Sequence, residues 1–143
     1  MKAVSADVQK FFEDYEKGTG QLDPQVLNVL YAGTFMFGGP QGVQAIKLED
    51  FLRVVPKRQG FFSAIGLTAT TLRSLEQTDL DEHYIQVRVA WQMRFEKQGQ
   101  PPLLDENSAS YILQRQESGL RIVFQLDHQN LMQRVRELGL LPE

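Results

Sequence analysis

Few side chains in this sequence could do chemistry. Asp127 stands where an alternating apolar stretch gives way to the closing helix, and His128 follows it directly. A carboxylate beside an imidazole is a pairing that general acid–base catalysis uses. The same position also suits a helix cap, since an Asp there accepts free backbone amides and meets the positive end of the helix dipole. The alternation of Ile122 and Leu126 sets Asp127 on the other side of its strand, away from the apolar interior, so the cap is the expected role. His128 then falls in the first helical turn, half exposed. His83 has the parity of an apolar strand face, and either lines a pocket or marks the strand end. Arg73 would hook an anion or carboxylate if enclosed, and otherwise faces water. Tyr111 would offer a hydroxyl. Trp91, Phe37 and Phe124 would supply flat apolar wall, with a core role for Trp91 compatible with both.

Other chemistries are excluded by composition. There is no cysteine, hence no thiol nucleophile, disulfide framework or zinc–thiolate site. The two histidines are far apart and fit no metal-ligand spacing, so neither metal nor cofactor is expected. Gly38–Gly42 is glycine-rich but lacks the Lys-Ser/Thr that follows in a phosphate loop. A net charge of −3 argues against a nucleic-acid surface. No apolar run reaches the length of a membrane span, and the polar opening Met1–Ser5 does not read as a leader, so a cytoplasmic protein is expected.

These side chains have to be positioned by the elements around them, and one element is unambiguous. Residues 84–95 alternate without a fault: Ile85, Val87, Val89, Trp91, Met93 and Phe95 point one way, polar residues the other. Period two over this length predicts a long strand with one buried face, antiparallel to its neighbours and strongly twisted. Helices are predicted over 5–17, from Asp23-Pro24 through Leu30, and from Leu48 with a stop or kink at Val55 before Pro56. A further helical turn precedes Gly66. Strands are predicted over 31–37, 67–77, 108–116 and 120–126, with a tight loop at Glu117–Gly119. A last helix carries Leu131, Val135 and Leu138 inward and ends at Gly139. One domain over residues 1–143 follows, of α+β class: a curved antiparallel sheet wrapped around three N-terminal helices as a cone with an internal pocket, plus a C-terminal helix.

This order resembles the nuclear transport factor 2-like, or cystatin-like cone, superfamily over nearly the whole chain. The segment from Gly119 to Asp127, followed by Leu131 through Gly139-Leu-Leu-Pro142, resembles the SnoaL-like polyketide cyclases. Those read Gly-x-Ile-Val-Glu-His-Trp-Asp and then a helix ending Leu-Gly-x-Leu-Pro. The resemblance implies Asp127 as the acid–base residue. The departures are Phe124, Gln125 and Leu126, which replace Glu, His and Trp. Ketosteroid-isomerase-like members carry an Asp before the proline after the first strand, where this chain has Gly39. Phe11 falls where their first helix has Tyr, and Tyr111 near their late acid. With that base missing, the expected function is an apolar cone pocket that binds a small hydrophobic or amphipathic molecule without catalysis. The alternative is a SnoaL-like cyclase or ketosteroid-isomerase-like enzyme using Asp127. The polar sheet face with Gln86, Arg88, Gln92, Arg94, Gln114, Gln116 and Gln125 is expected to carry a homodimer contact, as members of the superfamily often use that face.

Overall fold

The computed structural model describes residues 4–21 and 23–140. Met1–Ala3, and the Leu141 and Pro142 that close the cyclase-like pattern, lie outside the described residues. The elements run α1 (Ala6–Gln21), α2 (Pro24–Leu30), β1 (Tyr31–Gly39), β2 (Gly42–Lys47), α3 (Leu48–Arg53), α4 (Val55–Ala64), β3 (Leu67–Asp79), β4 (Tyr84–Phe95), β5 (Leu103–Gln116), β6 (Gly119–Asp127) and α5 (Leu131–Glu137). The strands form one sheet in the order β2-β1-β6-β5-β4-β3.

The architecture is α+β, as the alternation predicts, and β4 keeps the predicted bounds. Its inward side chains, Ile85, Val87, Val89, Trp91, Met93 and Phe95, are at most 5% exposed. α1 lays Val8, Phe11, Phe12 and Tyr15 against that curved face, within one cluster of buried side chains. Fully burying such a side chain stabilises by roughly 1.5–3 kcal/mol. β4 pairs with β5 along its whole length, from Tyr84 opposite Gln114 to Phe95 opposite Leu103. A second cluster, Ile65, Met93, Phe95, Val135 and Leu140, closes the wide end under α5. None of the described helices is long and apolar enough to cross a membrane.

α1 runs on to Gln21, past the expected end at residue 17, and four further details differ from the expectation. The sheet is mixed, because β1 runs parallel to β6. A further strand, β2, forms a hairpin with β1 and is nearly all exposed, so no apolar alternation announced it. β5 begins at Leu103, not at residue 108. The helical stretch from Leu48 is two helices, α3 and α4, meeting at Val54, with Pro56 in the first turn of α4, where its missing N–H is no loss. At the turn into β3, Gly66 has φ +80°, and an added Cβ would meet the Glu96 carbonyl oxygen at 2.7 Å. Glu96 N donates to Gly66 O at 2.8 Å, pinning β3 to the end of β4.

α5 is held by a bidentate ion pair. Arg134 Nε and Nη2 donate to the two carboxylate oxygens of Asp105 at 3.0 and 2.7 Å, and Asp105 is only 8% exposed. Arg134→Ala strands that carboxylate and is expected to lower the stability measurably. Urea unfolding measures it, and a loss below a few tenths of a kcal/mol would show that α5 is held by its apolar face alone.

Candidate functional site

A cavity of about 630 Å³ lies between the two buried clusters, within the range of small-molecule sites. Phe35, Phe37 and Phe51 line one part of it, Trp91, Met93 and Ala109 another, and Phe62 and Leu131 the wide end. Phe35 and Phe51 meet edge to face, at 86° and 5.6 Å between centroids, so these rings are braced rather than loose.

The polar part of the wall is a single hydrogen-bonded chain. Trp91 Nε1 donates to the Tyr111 hydroxyl at 3.3 Å, and Tyr111 donates to the Tyr15 hydroxyl at 3.4 Å. The Tyr15 and Tyr31 hydroxyls are 3.0 Å apart. Tyr31 donates to Gln125 Oε1 at 2.6 Å, so the proton between the two tyrosines comes from Tyr15. Gln125 Nε2 then donates to Asp127 Oδ1 at 3.2 Å. Every donor in the chain points toward the carboxylate. Burial pushes the three tyrosine hydroxyls above the ordinary phenol value, Tyr31 and Tyr111 well above it, so they remain neutral donors. Burial also raises Asp127, against the opposing pull of the Gln125 bond, Arg58 and His128.

Asp127 is therefore a cavity residue and not the cap of α5. That cap is Asn130, whose side chain accepts from Gln133 N at 3.1 Å. The reason is a bulge in β6. Ile112 pairs with Phe124 but Leu113 pairs with Ile122, which leaves Val123 unpaired and inverts the parity beyond it. Ile122 is buried, and after Val123 it is Gln125 and Asp127 that turn inward. Phe124 turns outward, where its ring lies 3.7 Å from a Cβ built on Gly38, and it lines no part of the cavity. Gln125 consequently leaves the outer polar face on which the alternation put it.

The other candidates divide. Phe37, Trp91 and Tyr111 share the cavity with Asp127. Arg73 does not reach it: it is the extra residue of a bulge in β3, between Leu72 opposite Trp91 and Ser74 opposite Ala90, and it is exposed. At that bulge the Leu72 amide leaves the ladder to donate to the Glu16 carboxylate of α1. His83 is not at a pocket mouth. It sits exposed in the turn before β4, where Asp81 Oδ1 accepts from the amides of His83 and Tyr84 at 2.7 and 2.8 Å. Along β4 it is roughly 25 Å from Trp91 at about 3.3 Å per residue. His128 is exposed, its ring nitrogen 2.7 Å from Ser110 Oγ.

Sequence reasoning missed Tyr15, Tyr31, Gln125, Asn107 and Arg58. Tyr15 and Tyr31 were visible as members of apolar stripes, but nothing marked their hydroxyls as joined. Asn107 preceded the expected start of β5; it lines the cavity, and its Oδ1 is buried with no hydrogen-bond partner among the described residues. Arg58 lies on α4 with its guanidinium 6.0 and 5.8 Å from the Phe51 and Phe62 ring centres, a cation stacked at the cavity edge.

No protein-family model matches the sequence, and no curated protein does. Solved structures match over nearly the whole chain. Aln2 from a Streptomyces species superposes with a TM-score of 0.71 at 15% identity, covering 95% of this chain and 99% of Aln2. An NTF2-like protein with a cystatin-like fold from Novosphingobium aromaticivorans gives 0.70 at 12% identity, covering 92% of this chain and 86% of its own. An NTF2-like protein of unknown function from Shewanella oneidensis gives 0.68 at 10% identity, over 86% and 97%. The chain thus has the NTF2-like, cystatin-like cone fold, and at these identities the likeness is one of fold alone.

A raised carboxylate leaves a signature in stability. The folded state holds its proton more tightly than the unfolded one, so Asp127 contributes stability that is present below the unfolded value of 3.8 and lost as pH rises through the folded value. Asp127→Asn removes that loss. It is expected to raise the melting temperature at pH 7, with the gain shrinking as pH falls into the acid range. A melting temperature lowered at every pH would mean that the charged carboxylate holds the fold together.

Proposed function

We propose that this chain is a small-molecule-binding domain whose cone takes one compact, largely apolar or amphipathic molecule and does not turn it over. The observation that carries this is the cavity itself: about 630 Å³, walled by aromatic rings, with one carboxylate directed into it. Turnover is disfavoured by the hydroxyl inventory. Proton abstraction beside a carbonyl needs a donor facing the oxyanion that develops. Here the Trp91 N–H and all three tyrosine O–H groups are committed to the internal chain.

A second reading is favoured by one observation. Asp127 stands in the cavity with its acidity weakened by burial, which is the state an acid–base carboxylate requires. In that reading the chain is a SnoaL-like cyclase or a ketosteroid-isomerase-like enzyme. The Gly119–Asp127 pattern supports kinship with the cyclase group. Gly39, in the place of the isomerase base, speaks against the other.

We also propose that two copies pair through the outer sheet face. Gln86, Arg88 and Arg94 are exposed there on β4, Gln92 and Gln114 are half-buried, and Gln116 bonds to Gln114 at 3.0 Å. The same face carries the apolar Met36 and Val43, 38% and 54% exposed.

Trp91 is the one tryptophan in the sequence and it lines the cavity, so its emission reports occupancy. Titration with small alicyclic and aromatic ligands is expected to shift that emission saturably, with no product formed from cyclic ketone or polyketide-like substrates. Turnover by the native chain that Asp127→Asn abolishes, with folding intact, would establish the enzymatic reading instead. For the dimer, sedimentation is expected to show Arg88→Glu shifting a dimer to monomer, whereas a native monomer at tens of micromolar, or a dimer indifferent to the change, would remove that proposal.

A further inference from the structure

The inventory of donors and acceptors around Asp127 is lopsided, and the imbalance says which end of a ligand goes there. On the aromatic wall beside Asp127, the donors of Trp91 and of the three tyrosines are already used. The Trp91 N–H goes to Tyr111, and the protons of Tyr111, Tyr15 and Tyr31 go in turn to Tyr15, Tyr31 and Gln125. Gln125 is fixed at both ends, its oxygen to Tyr31 and its nitrogen to Asp127, so it cannot turn over to offer anything else.

Acceptors, by contrast, are in excess. The Asp127 carboxylate receives one hydrogen bond among the described residues, on Oδ1, and an ionised carboxylate has room for about four. Asn107 Oδ1 is buried and receives none among the described residues. The two residues are neighbours by register. Asp127 on β6 lies opposite Ala109 on β5, and Asn107 is two residues from Ala109, hence on the same inward face and diagonal to Asp127. The other donor-bearing side chains that border the cavity are Arg58, Gln59 and Ser63 on α4, Thr68 and Thr70 on β3, Gln129, and the amide nitrogen of Asn107 itself.

We propose that the cavity selects its ligand by the donors the ligand brings. The fitting class is a compact alicyclic or aromatic body bearing a hydroxyl or amino group, which donates to Asp127 and Asn107 and leaves the rest of the molecule against the rings. A ketone, ether, ester or carboxylate presents acceptors to acceptors and is rejected. The discrimination should be large, because a site built to receive a donor is left with unpaired buried polar atoms when the donor is missing. An alcohol satisfies the wall as a neutral donor. An amine adds an ion pair with Asp127, in a cavity whose aromatic faces also favour cations.

This inference rests on the binding reading, and the experiment separates the two. Calorimetric titration of the full chain with 2-decalol, 2-aminodecalin, 2-decalone and 2-methoxydecalin holds the apolar body constant and changes only the polar atom. The alcohol or the amine is expected to bind about tenfold or more tightly than the ketone and the ether. The alcohol leading identifies a neutral donor, and the amine leading identifies an ion pair; each supports the proposal. In Asp127→Asn the side chain can turn an N–H toward the cavity, and the preference is expected to fall to about threefold or less. Asn107→Leu removes an unpaired buried oxygen at nearly constant size, so it should fold at least as well as the native chain while narrowing the same preference. Four probes bound equally, or the ketone or ether bound more tightly, would overturn donor selection and leave the cavity reading standing. No binding by any of the four would overturn both.

Discussion

The interior of this cone depends on one hydrogen-bonded chain, running from the indole of Trp91 through three tyrosine hydroxyls to Gln125 and Asp127. It joins α1, β1, β4, β5 and β6, which is most of the fold, at their common centre. Tyrosine hydroxyls buried this deeply would each be costly if left alone. Linked head to tail they satisfy one another, and burial keeps each of them protonated and therefore able to donate. The chain also fixes direction. Its donors all run toward the carboxylate, so a partial positive end is held against Asp127 whether or not the cavity is filled.

Asp127 in turn is a local concession of stability. A carboxylate in a largely apolar cavity, with one hydrogen bond among the described residues, is in the wrong medium for its charge, and its raised proton affinity is the record of that. Two other carboxylates of the molecule are bonded more fully. Asp105 is more enclosed than Asp127 and meets the Arg134 fork with both oxygens, and Asp7 is held below the ordinary carboxylate value, chiefly by the Ser5 hydroxyl. A group that the fold leaves with spare acceptor capacity, in a molecule that pairs Asp105 and Asp7 with arginines, is what one expects of a site that receives something from outside.

How much of this was legible in the sequence follows from where periodicity survives. β4 obeys period two throughout and was readable to the residue, and with it the buried face that organises the sheet. β6 and β3 obey it only up to a bulge. Val123 and Arg73 are each one residue too many, and an inserted residue has no signature in a pattern of apolar and polar positions. Everything beyond Val123 therefore read inside out: Phe124 was assigned to the cavity and Asp127 to the helix, while the true cap, Asn130, lay three residues on. β2 is an exposed edge and carries no alternation to read. The tyrosine chain was hidden for a different reason. Tyr15 and Tyr31 sit at apolar-spaced positions of their helix and strand, and only their tertiary meeting shows that the core there is polar at one atom.

The parallel pairing of β1 with β6 has a consequence in time. The Tyr31 hydroxyl and the Gln125 side chain that accepts from it are 94 positions apart in the sequence. β1 and its exposed partner β2 have no other route into the sheet than through β6, the last strand to be made. During synthesis the first third of the polypeptide therefore leaves the ribosome with its sheet edge open and must wait, uncovered, until residue 127 has followed it. Such late, non-local closure slows folding and lengthens the exposure of apolar strand to other chains. The short α2 and the kinked α3–α4 pair, which can form locally, are the elements available to shelter β1 in that interval.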